Sequence, residues 1–278
     1  MNIRVGDRTL GPGPVLMGIL NVTPDSFSDG GEFFDYAAAV TRAEEMLREG
    51  ADIIDIGGES TRPGSDPVSV DEEIRRVVPV VRSILKAHPG AIISVDTYRA
   101  ATAEAALEAG ASIINDVTAL RGDPRMAATV AEAGCLVVLM HMQGEPKSMQ
   151  KDPRYGDVVG EVREFLAERA EYVLSAGVRA ENVVLDPGIG FGKTLQHNLA
   201  LLNRLEVIAD LGYPVLVGTS RKAFLGKITG ARAERDRVAA TVATTVLAYE
   251  RGANIFRVHD VRANRDALAV AEAITVSR

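Results

Sequence analysis

The sequence predicts a single (β/α)8 TIM barrel of the α/β class, with an N-terminal β-hairpin at the bottom of the barrel. Eight short apolar runs, each followed by a polar or charged residue, alternate with segments of helical period. Such an alternation is typical of a parallel sheet covered by helices on its outside. The 278 residues match the roughly 250 that this fold needs. The predicted strands are residues 15–20, 52–56, 91–95, 112–114, 136–140, 182–185, 214–217 and 254–258.

The first predicted element is the hairpin. Apolar and polar residues alternate over residues 3–10, on either side of the turn-forming pair Gly6 and Asp7. We therefore expect residues 1–14 to be an extension whose hairpin closes the N-terminal end of the barrel.

The segments between the predicted strands carry the period of amphipathic helices. Val40, Ala43 and Leu47 share one face of the first such segment. Another predicted helix includes residues 201–209, with Leu201, Leu202, Leu205, Ile208 and Ala209 at its apolar positions. A glycine stands just before several strands, where the end of a helix needs a residue that tolerates positive φ. These glycines are Gly50, Gly110, Gly134, Gly212 and Gly252.

The composition predicts one domain over residues 1–278. Apolar residues make up 46% of the chain, yet no run approaches the roughly 18 residues of a membrane span. The N-terminal residues carry no apolar signal region, so we expect a cytoplasmic protein with no membrane partner. The net charge of −7 argues against a nucleic-acid partner, which requires a broad basic surface. Cys135, the one cysteine, precedes a buried strand and is expected to be a core residue.

Polar residues follow the predicted strands. In a parallel barrel all the C-terminal strand ends lie on one face, so these residues should converge on one pocket. A strand cap or a structural ion pair would explain any one of them, but not their concentration at the ends of several strands. They are Asn21, Glu59, Asp96, Asn115, Asp116, His141, Asp186, Thr219, Ser220, Arg221, Lys222, His259 and Asp260.

Two motifs carry a family resemblance. Residues 17–31 (MGILNVTPDSFSDGG) and 186–193 (DPGIGFGK) closely resemble the two signatures of dihydropteroate synthase. Further matches follow in the family's order at residues 58–64, 94–97, 114–116, 140–142, 218–222 and 257–260. The resemblance implies condensation of 6-hydroxymethyl-7,8-dihydropterin pyrophosphate with p-aminobenzoate, giving 7,8-dihydropteroate and pyrophosphate in folate synthesis. It also implies these small molecules as partners, and a homodimer formed through helices remote from the pocket mouth.

A pterin ring suits the polar strand ends. Its pyrimidine edge offers two adjacent donors, which the Asp186 carboxylate could accept as a bidentate pair. Asn115 can both donate and accept, Asp96 can accept from a further donor, and Lys222 can donate to the ring carbonyl. The resemblance implies a pterin site that comprises Asp96, Asn115, Met140, Asp186, Phe191, Gly218 and Lys222.

Departure of pyrophosphate requires fixed cations and donors around the phosphates. Arg257 and His259 lie two residues apart on a strand, point to the same side and form a predicted clamp. The alternative for Arg257 is an ion pair inside the barrel with Asp55 or Glu59. We expect Asn21, Thr61 and Arg62 to complete the clamp, with Mg²⁺ as cofactor held by phosphate oxygens, water and Asn21. The predicted catalytic residues are Asn21, Asp29, Lys222, Arg257 and His259.

Two predicted loops, residues 21–35 and 57–70, are longer than ordinary βα connections and are expected to be mobile without ligand. The resemblance implies a lid in which Phe27, Pro63 and Phe191 flank the p-aminobenzoate ring, with Asp29 near the pterin cation. Ala223 stands where many relatives have a hydroxyl or basic residue. Backbone N–H groups of residues 220–223 are then the expected contacts of the benzoate carboxylate. The predicted benzoate site comprises Phe27, Pro63, Phe191, Ser220, Arg221 and Ala223.

Other motifs carry less weight. Residues 188–194 look like a phosphate loop, but Pro187 stands where the nucleotide pattern needs glycine. We interpret these glycines as letting backbone approach a flat ligand. His141 and His259 have no short-spaced partner that would suggest a metal site. Two other functions stay open: a methyltetrahydrofolate:corrinoid methyltransferase, which is a related pterin-binding barrel, and non-catalytic pterin binding.

Overall fold

The computed structural model of the protein describes residues 2–23, 36–59, 67–144 and 148–277. Its first element is an antiparallel hairpin of strands β1 (Ile3–Val5) and β2 (Arg8–Leu10). Ile3 and Val5 are buried against the first residues of the barrel strands. The predicted hairpin at the bottom of the barrel is confirmed.

Eight parallel strands form the barrel. The first six of them are neighbours in chain order, while the eighth lies between the first and the seventh. One parallel bridge, between Leu185 and Val215, joins the two remaining edges and completes the predicted TIM barrel. The strands are β3 (Val15–Asn21), β4 (Ile53–Gly57), β5 (Ile93–Asp96), β6 (Ile113–Asp116), β7 (Leu136–Met140), β8 (Val183–Asp186), β9 (Leu216–Val217) and β10 (Ile255–Val258).

Helices cover the outside of the sheet. Within the described residues, no helix is both long and apolar enough to cross a membrane. The helices are α1 (Tyr36–Arg48), α2 (Val70–Ala87), α3 (Ala100–Glu108), α4 (Met126–Ala133), α5 (Val158–Ser175), α6 (Leu195–Asn203), α7 (Glu206–Ala209), α8 (Ala223–Thr229), α9 (Val238–Glu250) and α10 (Val261–Val276). Two 3₁₀ turns, Ala180–Asn182 and Glu234–Arg237, lie before β8 and α9.

The predicted strands agree with the structure to within two residues at every boundary. The largest shortening is at β9, which keeps only Leu216–Val217 of the predicted residues 214–217. Pro214 has no N–H to give to a ladder. The N–H of Val215 donates to the Asn254 side-chain oxygen at 2.9 Å.

The helix predicted over residues 201–209 is wrong in its extent, because the chain breaks there between α6 and α7. The carbonyl of Asn203 accepts from Arg251 Nε at 3.2 Å, and the N–H of Val207 bonds to Arg204. The apolar face survives the break, since the predicted apolar positions are buried or half-buried.

The glycines predicted at the helix-to-strand joints all have positive φ, from 62° at Gly134 to 108° at Gly110. Gly110 also lies close to its neighbours. A Cβ added there would lie 2.6 Å from Leu85 Cδ1 on α2. Backbone conformation and packing therefore both require glycine at this joint.

The interior of the barrel changes from apolar at the hairpin to polar at the C-terminal strand ends. The lower interior is one apolar cluster of hairpin and strand residues. Alternate residues of a strand face the same side, so the inward positions above this cluster follow in steps of two residues. These upper positions hold Asn21, Asp55, Asp96, Asn115, Asp186 and Arg257.

We expect Gly110→Ala to lower the free energy of unfolding by at least about 1 kcal/mol, because a Cβ at this φ is strained and meets Leu85. Urea unfolding measures the change. Gly90→Ala is the matched control, since a Cβ there meets nothing within 4 Å. Equal effects of the two substitutions would contradict the role given to Gly110.

Candidate active site

Arg257 lies between two buried carboxylates at the mouth of the barrel. Its Nε donates to Asp55 Oδ2 at 2.6 Å and its Nη2 donates to Asp96 Oδ2 at 2.9 Å. Asn115 Nδ2 lies 3.3 Å from the same Asp55 oxygen. Of the two partners that the sequence left open for Arg257, Asp55 is the one observed. Glu59 instead pairs with Arg99, at 2.7 Å.

Burial changes the ionisation of the groups in this pocket. Desolvation raises the pKa of Asp96 to about 7, although Arg257 opposes the shift. Desolvation also raises the pKa of Asp186, against the attraction of Lys222. Burial lowers the pKa of Lys222 to about 8. Burial therefore shifts each of these groups towards its neutral form, and a ligand that supplies hydrogen bonds and charge in place of water would stabilise the charged forms.

Asp186 ends β8 and is fixed by its own loop. Its Oδ1 accepts from the N–H of Gly188 at 2.7 Å, in a bond that leaves the carboxylate at the barrel mouth. Lys222 reaches the same region from the turn before α8, where its ammonium donates to the carbonyl of Ile189. The Lys222 ammonium also lies 4.5 Å from the centre of the Phe191 ring.

An apolar wall adjoins these polar groups. Met140 at the end of β7 packs with Val117, Met142 and Met149, and Phe191 packs against that cluster. A flat ring held by Asp186 and Asn115 would thus have polar partners at its edge and apolar side chains beside its face. Gly218, also predicted for the pterin site, lies beside Arg257, and a Cβ added to it would be 3.7 Å from the Cβ of Arg257.

The glycines of the segment after β8 lie against other parts of the protein. The Cβ positions of Gly188 and Gly192 point onto the carbonyls of His141 and Gln143. A Cβ at Gly190 would lie 2.8 Å from Lys222 Cδ. All three glycines have positive φ; Gly188 and Gly192 let the segment pack closely on the chain after β7, and Gly190 leaves room for the Lys222 side chain.

Lys193 is a site component that the sequence reasoning missed. It is buried, and its ammonium contacts His141 Nδ1 at 2.9 Å and the carbonyls of Phe191 at 3.0 Å and His141 at 3.3 Å. Burial lowers the pKa of Lys193 to about 7 and the pKa of His141 to about 3. A neutral imidazole can thus accept from the ammonium. The available signal was the lysine that ends the DPGIGFGK motif.

The predicted benzoate residues near α8 are largely engaged within the protein. Ser220 Oγ lies 2.9 Å from His259 Nδ1, and the Arg221 guanidinium pairs with Asp260. The N–H of Arg221 donates to Thr241 Oγ1 at 3.0 Å, and the N–H of Lys222 donates to Thr219 at 3.2 Å. Two of the four backbone donors predicted for the benzoate carboxylate are therefore already used. Ala223 is exposed at the first position of α8.

Asn21 is the predicted protein ligand of Mg²⁺. Its Oδ1 lies at the end of β3, 3.6 Å from where a Cβ at Gly57 would be. The part of the chain that the structure describes holds no group of three His, Cys, Asp or Glu side chains that could bind a metal ion. This donor set fits an ion held mainly by phosphate oxygens and water, with one amide oxygen from the protein.

Five predicted site residues lie outside the described residues. They are Phe27, Asp29, Thr61, Arg62 and Pro63. Thr61, Arg62 and Pro63 lie between the described residues Glu59 and Val68. The N–H of Val68 donates to Glu59 Oε2 at 2.9 Å.

Comparison with known proteins identifies the family of this chain. A family model described as pterin binding enzyme matches residues 17–259. The dihydropteroate synthase of Neisseria meningitidis serogroup C is 49% identical over 267 residues, which cover 95% of this chain and 94% of that protein. The chain belongs to the dihydropteroate synthase family.

Solved structures of family members agree in fold. A dihydropteroate synthase of Xanthomonas albilineans with 4-aminobenzoic acid superposes with a TM-score of 0.93 at 46% identity, covering 99% of this chain and 98% of the other. A structure of the same organism's synthase with 7,8-dihydropteroate gives a TM-score of 0.89 at 43% identity and covers 99% of both chains. The chain is therefore a transferase of the synthase family, and the corrinoid methyltransferase is not favoured.

We expect Lys193→Met to flatten the rise of stability with pH. Because the folded-state pKa of Lys193 is about 7 and its unfolded-state pKa is near 10.4, folding releases a proton between these values. Stability should therefore rise with pH in this window, by up to about 1.4 kcal/mol per unit. The test is urea unfolding at pH 7, 8 and 9, with exposed Lys227→Met as control. A wild-type-minus-variant difference that stays constant with pH would contradict this assignment.

Proposed function

We propose that the pocket at the strand ends condenses 6-hydroxymethyl-7,8-dihydropterin pyrophosphate with p-aminobenzoate. The products are 7,8-dihydropteroate and pyrophosphate, in a step of folate synthesis. The observation that carries the proposal is the convergence of Asp96, Asn115, Asp186 and Lys222 from separate strand ends and loops, beside one apolar wall. Membership of the synthase family supports the same reaction.

The pterin site holds the ring by its edge. The Asp186 carboxylate accepts from the amino group and the adjacent ring N–H, while its other contact, from the N–H of Gly188, fixes its direction. Asn115 and Asp96 contact further polar atoms of the ring, and Lys222 donates to the ring carbonyl. Asp55 Oδ1 and Ser94 Oγ, on paired residues of β4 and β5, have no hydrogen-bond partner among the described residues. They mark the same interior region as polar.

The pyrophosphate side of the pocket stabilises the leaving group. Arg257, His259 and Asn21 supply donors from the described residues, and Thr61 and Arg62 complete the proposed clamp. The Asn21 side-chain oxygen would be the protein ligand of Mg²⁺ in this clamp. The ion, when bound, would neutralise charge on the phosphate oxygens. Asp55 and Asp96 take one N–H each from the Nε and Nη2 atoms of Arg257, so the remaining guanidinium N–H groups can donate to the phosphates while these ion pairs stay in place.

The proposed reaction is dissociative. The bond between the pterin methylene carbon and the pyrophosphate oxygen breaks first, and its electron pair leaves with pyrophosphate. The neutral amine of p-aminobenzoate then forms the carbon–nitrogen bond and releases its proton. Asp29 would face the intermediate cation electrostatically, while Phe27, Pro63 and Phe191 would flank the aromatic ring. Ser220, Arg221 and Ala223 belong to the proposed benzoate end.

Release of pyrophosphate on mixing both substrates with Mg²⁺ tests the function directly. A synthase forms pyrophosphate and dihydropteroate in equal amounts and only when both substrates are present. Methyl transfer to a corrinoid without pyrophosphate would identify the methyltransferase. Tight binding of the pterin with no turnover would identify a binding protein.

Asp186→Asn should abolish pterin binding while the protein remains folded. An amide presents one wrong group to two donors, and loss of a buried charged partner costs about 2–5 kcal/mol. Calorimetry with phosphate-free 6-hydroxymethyl-7,8-dihydropterin measures the change, with exposed Asp210→Asn as control. A pterin affinity within twofold of the parent would remove Asp186 from the site.

The proposed assembly is a homodimer formed through helices on the outer surface. A cavity of about 490 Å³ lies between α6 and α9, lined by Leu199 and Leu247. Both leucines are exposed apolar side chains, and Leu247 is near the end of α9 that lies away from the barrel mouth. Light scattering during size-exclusion chromatography should give twice the chain mass. Leu247→Glu should lower the measured mass. A monomer at micromolar concentration would contradict this assembly.

A further inference from the structure

Arg221 adopts an unusual backbone conformation between two predicted site residues. Its φ is 57°, and the other non-glycine residues with positive φ among those described are Ala119 and Leu120, in the loop after β6. All lie at the C-terminal end of the barrel strands. Side chains disfavour this conformation, which persists where the surroundings determine it and is often found at functional sites.

Three groups from different elements hold Arg221. Its N–H donates to Thr241 Oγ1 on α9 at 3.0 Å, and its carbonyl accepts from Arg237 Nη1 at 2.8 Å. Its guanidinium forms a two-point pair with Asp260, at 2.9 Å from Nε and 2.5 Å from Nη2. The side chain therefore points to the start of α10, although the resemblance places Arg221 in the benzoate site.

A second tie runs parallel to the Arg221–Asp260 pair. Ser220 Oγ contacts His259 Nδ1 at 2.9 Å and accepts from the N–H of His259 at 3.0 Å. Residues 220–221 and residues 259–260 are thus joined at two consecutive positions. These contacts fix the turn before α8 against the chain after β10.

We propose that Asp260 is a positioning residue that fixes the Ser220 and Lys222 side chains through Arg221. The two-point pair draws the Arg221 side chain towards α10 and holds φ positive. Ser220 bonds to the same segment at His259, whereas Lys222 reaches Ile189 beside Asp186. Asp260 itself touches no substrate in this arrangement. The inference rests on the proposed function, since it assigns a residue that prepares that same site.

The pair is suited to positioning more than to stability. The side chains of Arg221 and Asp260 are 29% and 20% exposed, so water partly screens their attraction. Planar two-point geometry restricts orientation as well as distance. Loss of the pair should therefore reorient the turn without unfolding the protein.

Steady-state kinetics of Asp260→Asn and Arg221→Gln, singly and together, test the inference. Each single variant should raise KM for p-aminobenzoate or lower kcat, with at least a tenfold loss in kcat/KM. The double variant should lose little more than either single one, because both remove the same tie. Asp260→Glu should recover activity. Asp266→Asn, which removes an exposed pair with Arg262 on the same helix, is the matched control and should retain full activity.

Arg221→Gly tests whether activity depends on the Arg221 side chain or only on the positive φ at this position. Glycine adopts positive φ freely, so this variant should unfold at no lower temperature than the wild type and still lose at least tenfold in kcat/KM. Full activity of Arg221→Gly or Asp260→Asn, or losses that multiply in the double variant, would overturn the inference. A wild-type protein that releases no pyrophosphate would instead refute the proposed function. Active wild type with fully active Asp260→Asn would refute the positioning role alone.

Discussion

The ion pairs of Arg257 are the interaction on which the rest of the barrel mouth depends. Asp55 is fully buried and Asp96 nearly so, and both bond to the same guanidinium. Ionised carboxylates there without a cation would carry a desolvation penalty of several kcal/mol each. Since Arg257 starts from β10 and its partners start from β4 and β5, the interaction spans β3 and ties together four neighbouring strands of the curved sheet.

The same burial that makes Arg257 necessary also makes the pocket responsive to a ligand. Asp96, Lys222 and Lys193 have pKa values of about 7, 8 and 7, so each is far closer to losing its charge than in water. A ligand that brings donors to the carboxylates and acceptors to the ammonium groups restores the charged forms. Recognition and charge state are thereby linked, and a ligand with the wrong pattern of donors gains little from the same cavity.

The sequence predicted the fold well because its signals are local and periodic. Apolar runs located every strand to within two residues, and the glycines before five of them marked the helix ends. The inward strand-end residues Asp96, Asn115 and Asp186 could be chosen because alternation along a strand fixes which side chains face inward. The break after α6 was missed because the apolar period continues across it without interruption.

Contacts between loops escaped the sequence reasoning for a related reason. Lys193 meets His141 across 52 residues of chain, and Arg221 meets Asp260 across 39, so no local period reports either contact. The glycines after β8 illustrate the same limit. Their positive φ could be anticipated, but whether a ligand or the chain after β7 lies against them depends on how two loops pack.

A single bridge, between Leu185 and Val215, closes the sheet of the barrel. Elsewhere, neighbouring strands share ladders, whereas β8 and β9 are joined at one position and β9 has only two residues. Few backbone bonds must break to open this joint, so its local opening free energy should be lower than that of the longer ladders in the sheet. Asp186 and Gly218 stand directly above the joint. Amide hydrogens beside the joint would exchange with solvent when β8 and β9 separate briefly at the wall of the pocket. The rest of the barrel would stay intact during this local opening.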